Sequence, residues 1–215
     1  MTKKQKAEII LNKLKEIYPN AECSLIYNKN KPYELLIATR LSAQCTDARV
    51  NIITDELFQR YNTLEAFANA RIDDMEQMVK SCGFYKVKAA DIINMSRILI
   101  ENYNSVLPDT IEELTKLPGV GRKTANLIVG DIYGKPSIVT DTHCIRICGR
   151  LGLTTSKDPK KTEDELRKIL DPKESSAFCH RIVIFGRDTC KAQNPKCDEC
   201  PLKEQCVYVK KKDKK

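Results

Sequence analysis

The chain has 215 residues, and 37 Lys and Arg against 29 Asp and Glu leave it at +8. A chain of that length buries a core without disulfide support, and the basic excess favours nucleic acid as a polyanionic partner. No apolar run approaches the roughly 18 residues of a membrane span, and Met1-Thr-Lys-Lys-Gln-Lys-Ala-Glu8 lacks a signal-peptide core. The reading is therefore an intracellular protein, cytoplasmic and nucleoid-associated if bacterial, with no membrane partner. Its ten cysteines are then thiols or metal ligands rather than disulfides.

In chain order, Lys6 to Tyr18 sets Ile10, Leu11, Leu14 and Ile17 at helical spacing opposite lysines. Tyr33 to Leu41 is apolar nearly all round, as in a buried helix, with Pro32 at its start. Thr46 or Asp47 is positioned to cap the next helix, and Gln44 lies in the junction. Asn62 or Thr63 opens a short helix through Phe67, another runs from Asp73 to Cys82 and stops at Gly83, and Lys86 to Tyr103 forms a longer one. Asp109-Thr-Ile-Glu112 has the form of a capping box leading to Leu117. Beyond Asp141 come an apolar helical face through Leu151, a second capping box at Thr162-Glu-Asp-Glu165, and a last long helix capped by Ser175 or Ser176 and running up to Gly186. No sustained period-two pattern interrupts this series, so the fold class is all-α. The tail from Lys210 to Lys215 reads as disordered.

Leu117-Pro-Gly-Val-Gly121 is a turn, with one φ preset by Pro118 and close backbone approach allowed at Gly119 and Gly121. Arg122-Lys-Thr-Ala-Asn126 then begins a helix, which places Lys123 in its first turn. The positive end of the helix and Arg122 both disfavour a charged Lys123, and only the neutral amine is a nucleophile. Free N–H groups at the same helix start can grip a phosphate. A plain helical hairpin with a solvated lysine is the alternative.

Cys190, Cys197, Cys200 and Cys206 form a C-x6-C-x2-C-x5-C array bent by Pro195 and Pro201. Four thiolates this close can hold one metal centre, and the spacing admits either zinc or a [4Fe–4S] cluster. Cys23, Cys45, Cys82, Cys144, Cys148 and Cys179 lie among apolar residues and read as core. His143 and His180 are given no catalytic role.

The hairpin at 117–126, Asp141-Thr-His143 downstream and the cysteine array together resemble the endonuclease III family of bifunctional helix-hairpin-helix DNA glycosylases, over almost the whole chain. The resemblance implies two helical domains flanking a DNA-binding cleft. One is a six-helix barrel with the hairpin over 25–135; the other is a domain built from 1–24 and 136–215 that carries a [4Fe–4S] cluster on Cys190, Cys197, Cys200 and Cys206. It further implies a monomeric base-excision-repair glycosylase and AP lyase that removes oxidised pyrimidines from double-stranded DNA and cuts 3′ of the abasic site by β-elimination. Lys123 matches the family's nucleophile, which forms the Schiff base, and Asp141 its catalytic aspartate. Gln44 matches the residue that fills the space left by the flipped nucleotide, and Gly119, Val120 and Gly121 form the DNA-binding turn. Phe84 stands where the family usually has a leucine wedge, and Lys86 where it usually has asparagine. The alternatives are a non-catalytic hairpin module with a zinc site, which would neither absorb visible light nor cut DNA, and a monofunctional mismatch glycosylase, against which Lys123 argues.

Overall fold

The computed structural model describes residues 1–212, and all regular elements among them are helical. In chain order they are α1 (Lys3–Ile17), α2 (Tyr33–Ser42), α3 (Asp47–Arg60), α4 (Leu64–Ala68), α5 (Ile72–Val79), α6 (Tyr85–Tyr103), α7 (Ile111–Leu114), α8 (Arg122–Asp131), α9 (Thr142–Leu151), α10 (Pro159–Arg167), α11 (Ser175–Asp188) and α12 (Val207–Lys212). Short 3-10 turns occupy Lys80–Cys82, Pro172–Glu174 and Lys203–Gln205. None of the described helices is long and apolar enough to cross a membrane. The chain divides into two compact units, residues 23–134 and residues 1–22 with 135–215.

The unit 23–134 holds α2 to α8 and is organised around α2. Leu35, Leu36, Ile37, Ala38 and Leu41 are fully buried, so that this helix presents almost no surface to water. It packs on α3, α6 and α8, while α4 and α5 lie on α6. Each of its leucines contributes about 1.5–3 kcal/mol by burial. Phe67 is enclosed by Tyr33, Phe58 and Tyr61, with ring centroids 5.4–6.3 Å away. Seven α-helices and the 3-10 turn Lys80–Cys82 make up this unit, α7 being a single turn.

In the other unit α11 packs on α1 and α9, and α12 on α9. The approach of α9 to α11 is close. A Cβ at Gly186 would stand 2.3 Å from His143 Nδ1 and 2.8 Å from Ile147 Cδ1, so α11 continues through this glycine instead of ending at it. Tyr208 of α12 receives the Arg150 guanidinium over its ring at 4.7 Å, and Val209 is buried. This packing makes residues 210–212 helical where the composition suggested disorder; the rest of that suggestion, residues 213–215, lies outside the described residues.

Three expected caps are displaced, each for a local reason. Thr110 rather than Asp109 caps α7: its backbone is extended and its hydroxyl accepts from Glu113 N–H at 3.3 Å. Asp158 rather than Thr162 caps α10, because Pro159 supplies the preset first helical residue. Thr162 is instead buried inside the helix, its hydroxyl donating to Ser156 O at 3.1 Å. Neither Ser175 nor Ser176 caps α11. The preceding 3-10 turn runs straight into the helix, and Ser175 Oγ donates to Pro172 O while accepting from Ser137 N–H.

Candidate functional site

The glycine turn follows two buried anchors, Leu114 and Leu117, and is closed by Val120 N–H donating to Leu117 O at 3.2 Å. Gly119 adopts φ +70° and lies against the Arg40–Asp91 ion pair. The Val120 side chain is 7% exposed, so it anchors the turn and leaves the backbone as what this residue can offer a ligand. Gly121 is the extended residue before α8 and brings no side-chain cap. The start of α8 thus presents the positive dipole end that binds anions at helix starts.

Lys123 follows in the first turn of α8. It is exposed and makes no hydrogen bond or ion pair among the described residues, so its amine is available to a ligand. Asp141 belongs to the other unit, where it is the extended N-cap of α9; its Oδ1 accepts from Cys144 N–H at 2.7 Å. The cap leaves Oδ2 for other work. His143 Nδ1 lies 3.2 Å from Arg146 Nη2, a packing role between α9 and α11.

Gln44 and Phe84 share a feature that composition does not reveal. Both are non-glycine residues in left-handed backbone, with φ of +57° and +48°, a conformation that costs about 1–3 kcal/mol and concentrates at functional sites. Both side chains are solvent-exposed, Phe84 at 67%, and nothing in the fold uses either. A large aromatic held out on a strained turn is poor core chemistry and suits insertion between bases. Neighbouring Lys86 is exposed as well.

Cys190, Cys197, Cys200 and Cys206 all line one recess, together with Leu151, Phe185 and Val209. All four thiols thus face the same space, which is otherwise apolar. Arg150 Nη1 donates to Cys190 Sγ at 3.3 Å, and its guanidinium also holds Lys191 O and Ala192 O. Burial chiefly, with Cys190, Cys206 and Cys197 nearby, raises the Cys200 pKa. Four cysteine thiols around one recess are the donor set that a [4Fe–4S] cluster takes. Of the other cysteines, Cys82, Cys144, Cys148 and Cys179 are buried, while Cys23 and Cys45 are half-buried.

A helical fold, a glycine hairpin with an exposed lysine and a ring of four cysteines together define a helix-hairpin-helix repair protein, and comparison with known proteins agrees. Residues 37–172 match the HhH-GPD superfamily of base excision DNA repair proteins, and residues 190–206 match the iron-sulfur binding domain of endonuclease III. Endonuclease III of Bacillus subtilis strain 168 is 43% identical over 97% of this chain and 94% of its own. A trapped endonuclease III–DNA covalent intermediate superposes with a TM-score of 0.92 at 42% identity, covering 99% of both chains, and a non-covalent endonuclease III–DNA complex does so with the same score over 100% of both. The chain belongs to the endonuclease III family of the HhH-GPD superfamily. It is a DNA glycosylase and lyase of base excision repair, and its cofactor is a [4Fe–4S] cluster.

Proposed function

We propose that the enzyme acts as a monomer inside the cell on double-stranded DNA carrying oxidised pyrimidines or abasic sites, with Lys123 as nucleophile. The observation that carries this reading is the exposed, unpartnered Lys123 in the first turn of α8, directly after a turn whose amides suit a phosphate. A stacked base shields its sugar, so the nucleotide must first leave the helix. Gln44 fills the gap and Phe84 wedges the opposite strand. Gly119 to Gly121 hold the backbone of the lesion strand through main-chain N–H groups.

Neutral Lys123 then attacks C1′, and the C1′–N bond breaks with its electron pair leaving on the base. The sugar ring opens to a Schiff base with Nζ. Loss of a C2′ proton expels the 3′ phosphate by β-elimination, and water releases the unsaturated aldehyde and regenerates the amine. Ionised Asp141 assists by accepting the Lys123 proton or by stabilising positive charge on the sugar. Cys190, Cys197, Cys200 and Cys206 would hold the cluster, which on binding cross-links the 190–206 loop; the chemistry on DNA stays with the side chains.

Borohydride reduction tests the assignment. The parent protein should form a covalent adduct with a duplex containing thymine glycol or an abasic site, and Lys123→Ala should form none. Undiminished trapping by Lys123→Ala would remove Lys123 from the role. A panel of defined lesions paired with each opposite base would measure the substrate range, where Phe84 and Lys86 are expected to show their effect.

A further inference from the structure

A second lysine lies close to these DNA-contact candidates in sequence and is used differently. Lys88, in the first turn of α6, is 1% exposed. Its Nζ donates to Leu41 O, Ala43 O and Cys82 O, each at 2.8 Å. An ammonium has three N–H donors and no acceptor, so these three carbonyls use it completely. Leu41 and Ala43 bracket the end of α2, one residue before Gln44, while Cys82 closes the 3-10 turn two residues before Phe84. Helix ends leave carbonyls without intrahelical donors, and here one cation serves the ends of two separate elements 40 residues apart in sequence.

We propose that Lys88 is a positioning residue for base extrusion: its single ammonium ties the Gln44 turn to the Phe84 turn, holding both residues at a set separation as they enter the duplex. The proposal rests on the reading of Gln44 and Phe84 as DNA contacts. A buried cation is a poor choice for stability alone, since an apolar side chain of similar volume serves a core as well or better. Three converging carbonyl dipoles make it useful for geometry, because each of the two strained turns is then held from beneath by the same atom. Without it, Leu41 O, Ala43 O and Cys82 O lose their common donor and the turns move independently.

The test uses the full-length protein with its cluster and compares two substrates under single-turnover conditions. One is a thymine-glycol duplex with 2-aminopurine beside the lesion, which reports extrusion by fluorescence; the other is a single-stranded abasic oligonucleotide, which needs none. Lys88→Met should slow the fluorescence rise and duplex cleavage by about tenfold or more, while cleavage of the single strand stays within about threefold. Lys88→Gln, which keeps two N–H donors, should recover part of the duplex rate. In a Gln44→Ala/Phe84→Ala background, Lys88→Met should cost nothing further on the duplex. Equal losses on both substrates, no loss on either, or an additive loss in that background would overturn the proposal. If Lys88→Met does not fold, Lys88→Gln carries the same comparison, and failure of both to fold would make the lysine a folding requirement and end the idea. If the Gln44→Ala/Phe84→Ala protein extrudes the base at the parent rate, the underlying reading of those two residues fails. If that protein is slow but Lys88→Met is not, the Lys88 proposal alone fails.

Discussion

Arg40 and Asp91 form a mostly buried ion pair, with Nη2 and Nε each 2.7 Å from Oδ2, in the space that a side chain at position 119 would need. The pair brings α2 and α6 together under the hairpin, so the turn rests on charged side chains and not only on its own glycines. A Cβ at Gly119 would stand 2.3 Å from Arg40 Nε and 2.6 Å from Asp91 Oδ2. Position 119 is therefore restricted twice, by the φ of +70° and by the ion pair below it.

The two hairpin glycines should respond differently to alanine. Gly119→Ala strains the backbone and breaks the ion-pair packing, costing about 1–3 kcal/mol of stability and weakening duplex binding. At Gly121 the new Cβ meets nothing within 4 Å and φ is −92°, so stability should change by less than about 0.5 kcal/mol. Gly121→Ala should nonetheless weaken binding if a phosphate approaches the turn there. Thermal melting and fluorescence anisotropy on an abasic-analogue duplex measure both quantities, and full affinity in Gly121→Ala would argue against a backbone grip at that residue.

Asp141 combines a cap with a charge, and two substitutions separate them. Asn keeps an oxygen for Cys144 N–H, so Asp141→Asn should melt close to the parent; Asp141→Ala loses the cap and should be less stable by about 1 kcal/mol. Both lose the carboxylate and should be strongly impaired in base release. Parent-level activity in Asp141→Asn would leave Asp141 with the cap alone.

Loss of the cluster should act on the 190–206 segment. Cys200→Ser should lower iron content and visible absorbance, and the segment should become open to proteolysis around 197–203, where short turns and the buried Leu202 are its remaining supports and the Arg150 bonds to 190–192 do not reach. Limited proteolysis followed by mass spectrometry would locate the cuts. A parent-like iron content in this variant would show that Cys200 is not a ligand.

Glu165 gives the protein an acid-sensitive contact. Thr155 N–H at 2.7 Å is the main cause of its lowered pKa, with Thr155 Oγ1 and Ser156 N–H adding to it and partial burial opposing them. The folded protein therefore keeps this carboxylate ionised to lower pH than the unfolded chain does. Its contribution to stability is complete above pH 4.5 and is lost as pH falls through the lowered folded value. Glu165→Gln should melt below the parent at pH 7, with the gap narrowing below pH 4.5. A gap independent of pH would assign the effect to packing.

Where the sequence pattern and the structure agree, the signals are local. The all-helical class follows from apolar periodicity, and the start of α8 follows from Pro118, Gly119 and Gly121 within a few residues of it. Caps are decided by competition among several residues within one turn. Thr110 and Asp158 prevailed over Asp109 and Thr162 through backbone geometry and a following proline, differences of one to four positions.

By itself, the sequence determined the helical class, the lysine placed after a glycine turn, and the four-cysteine spacing, because each is set by residues near one another along the chain. Only the tertiary structure decided that Arg40 and Asp91 sit beneath Gly119, that Gln44 and Phe84 adopt left-handed backbone, and that Lys88 joins their turns. Those features depend on α2 and α6 meeting across 40 to 50 intervening residues. A lysine pattern in sequence cannot distinguish a solvated amine such as Lys123 from a buried one such as Lys88. The difference comes from which carbonyls the fold leaves without donors and which cation can reach them.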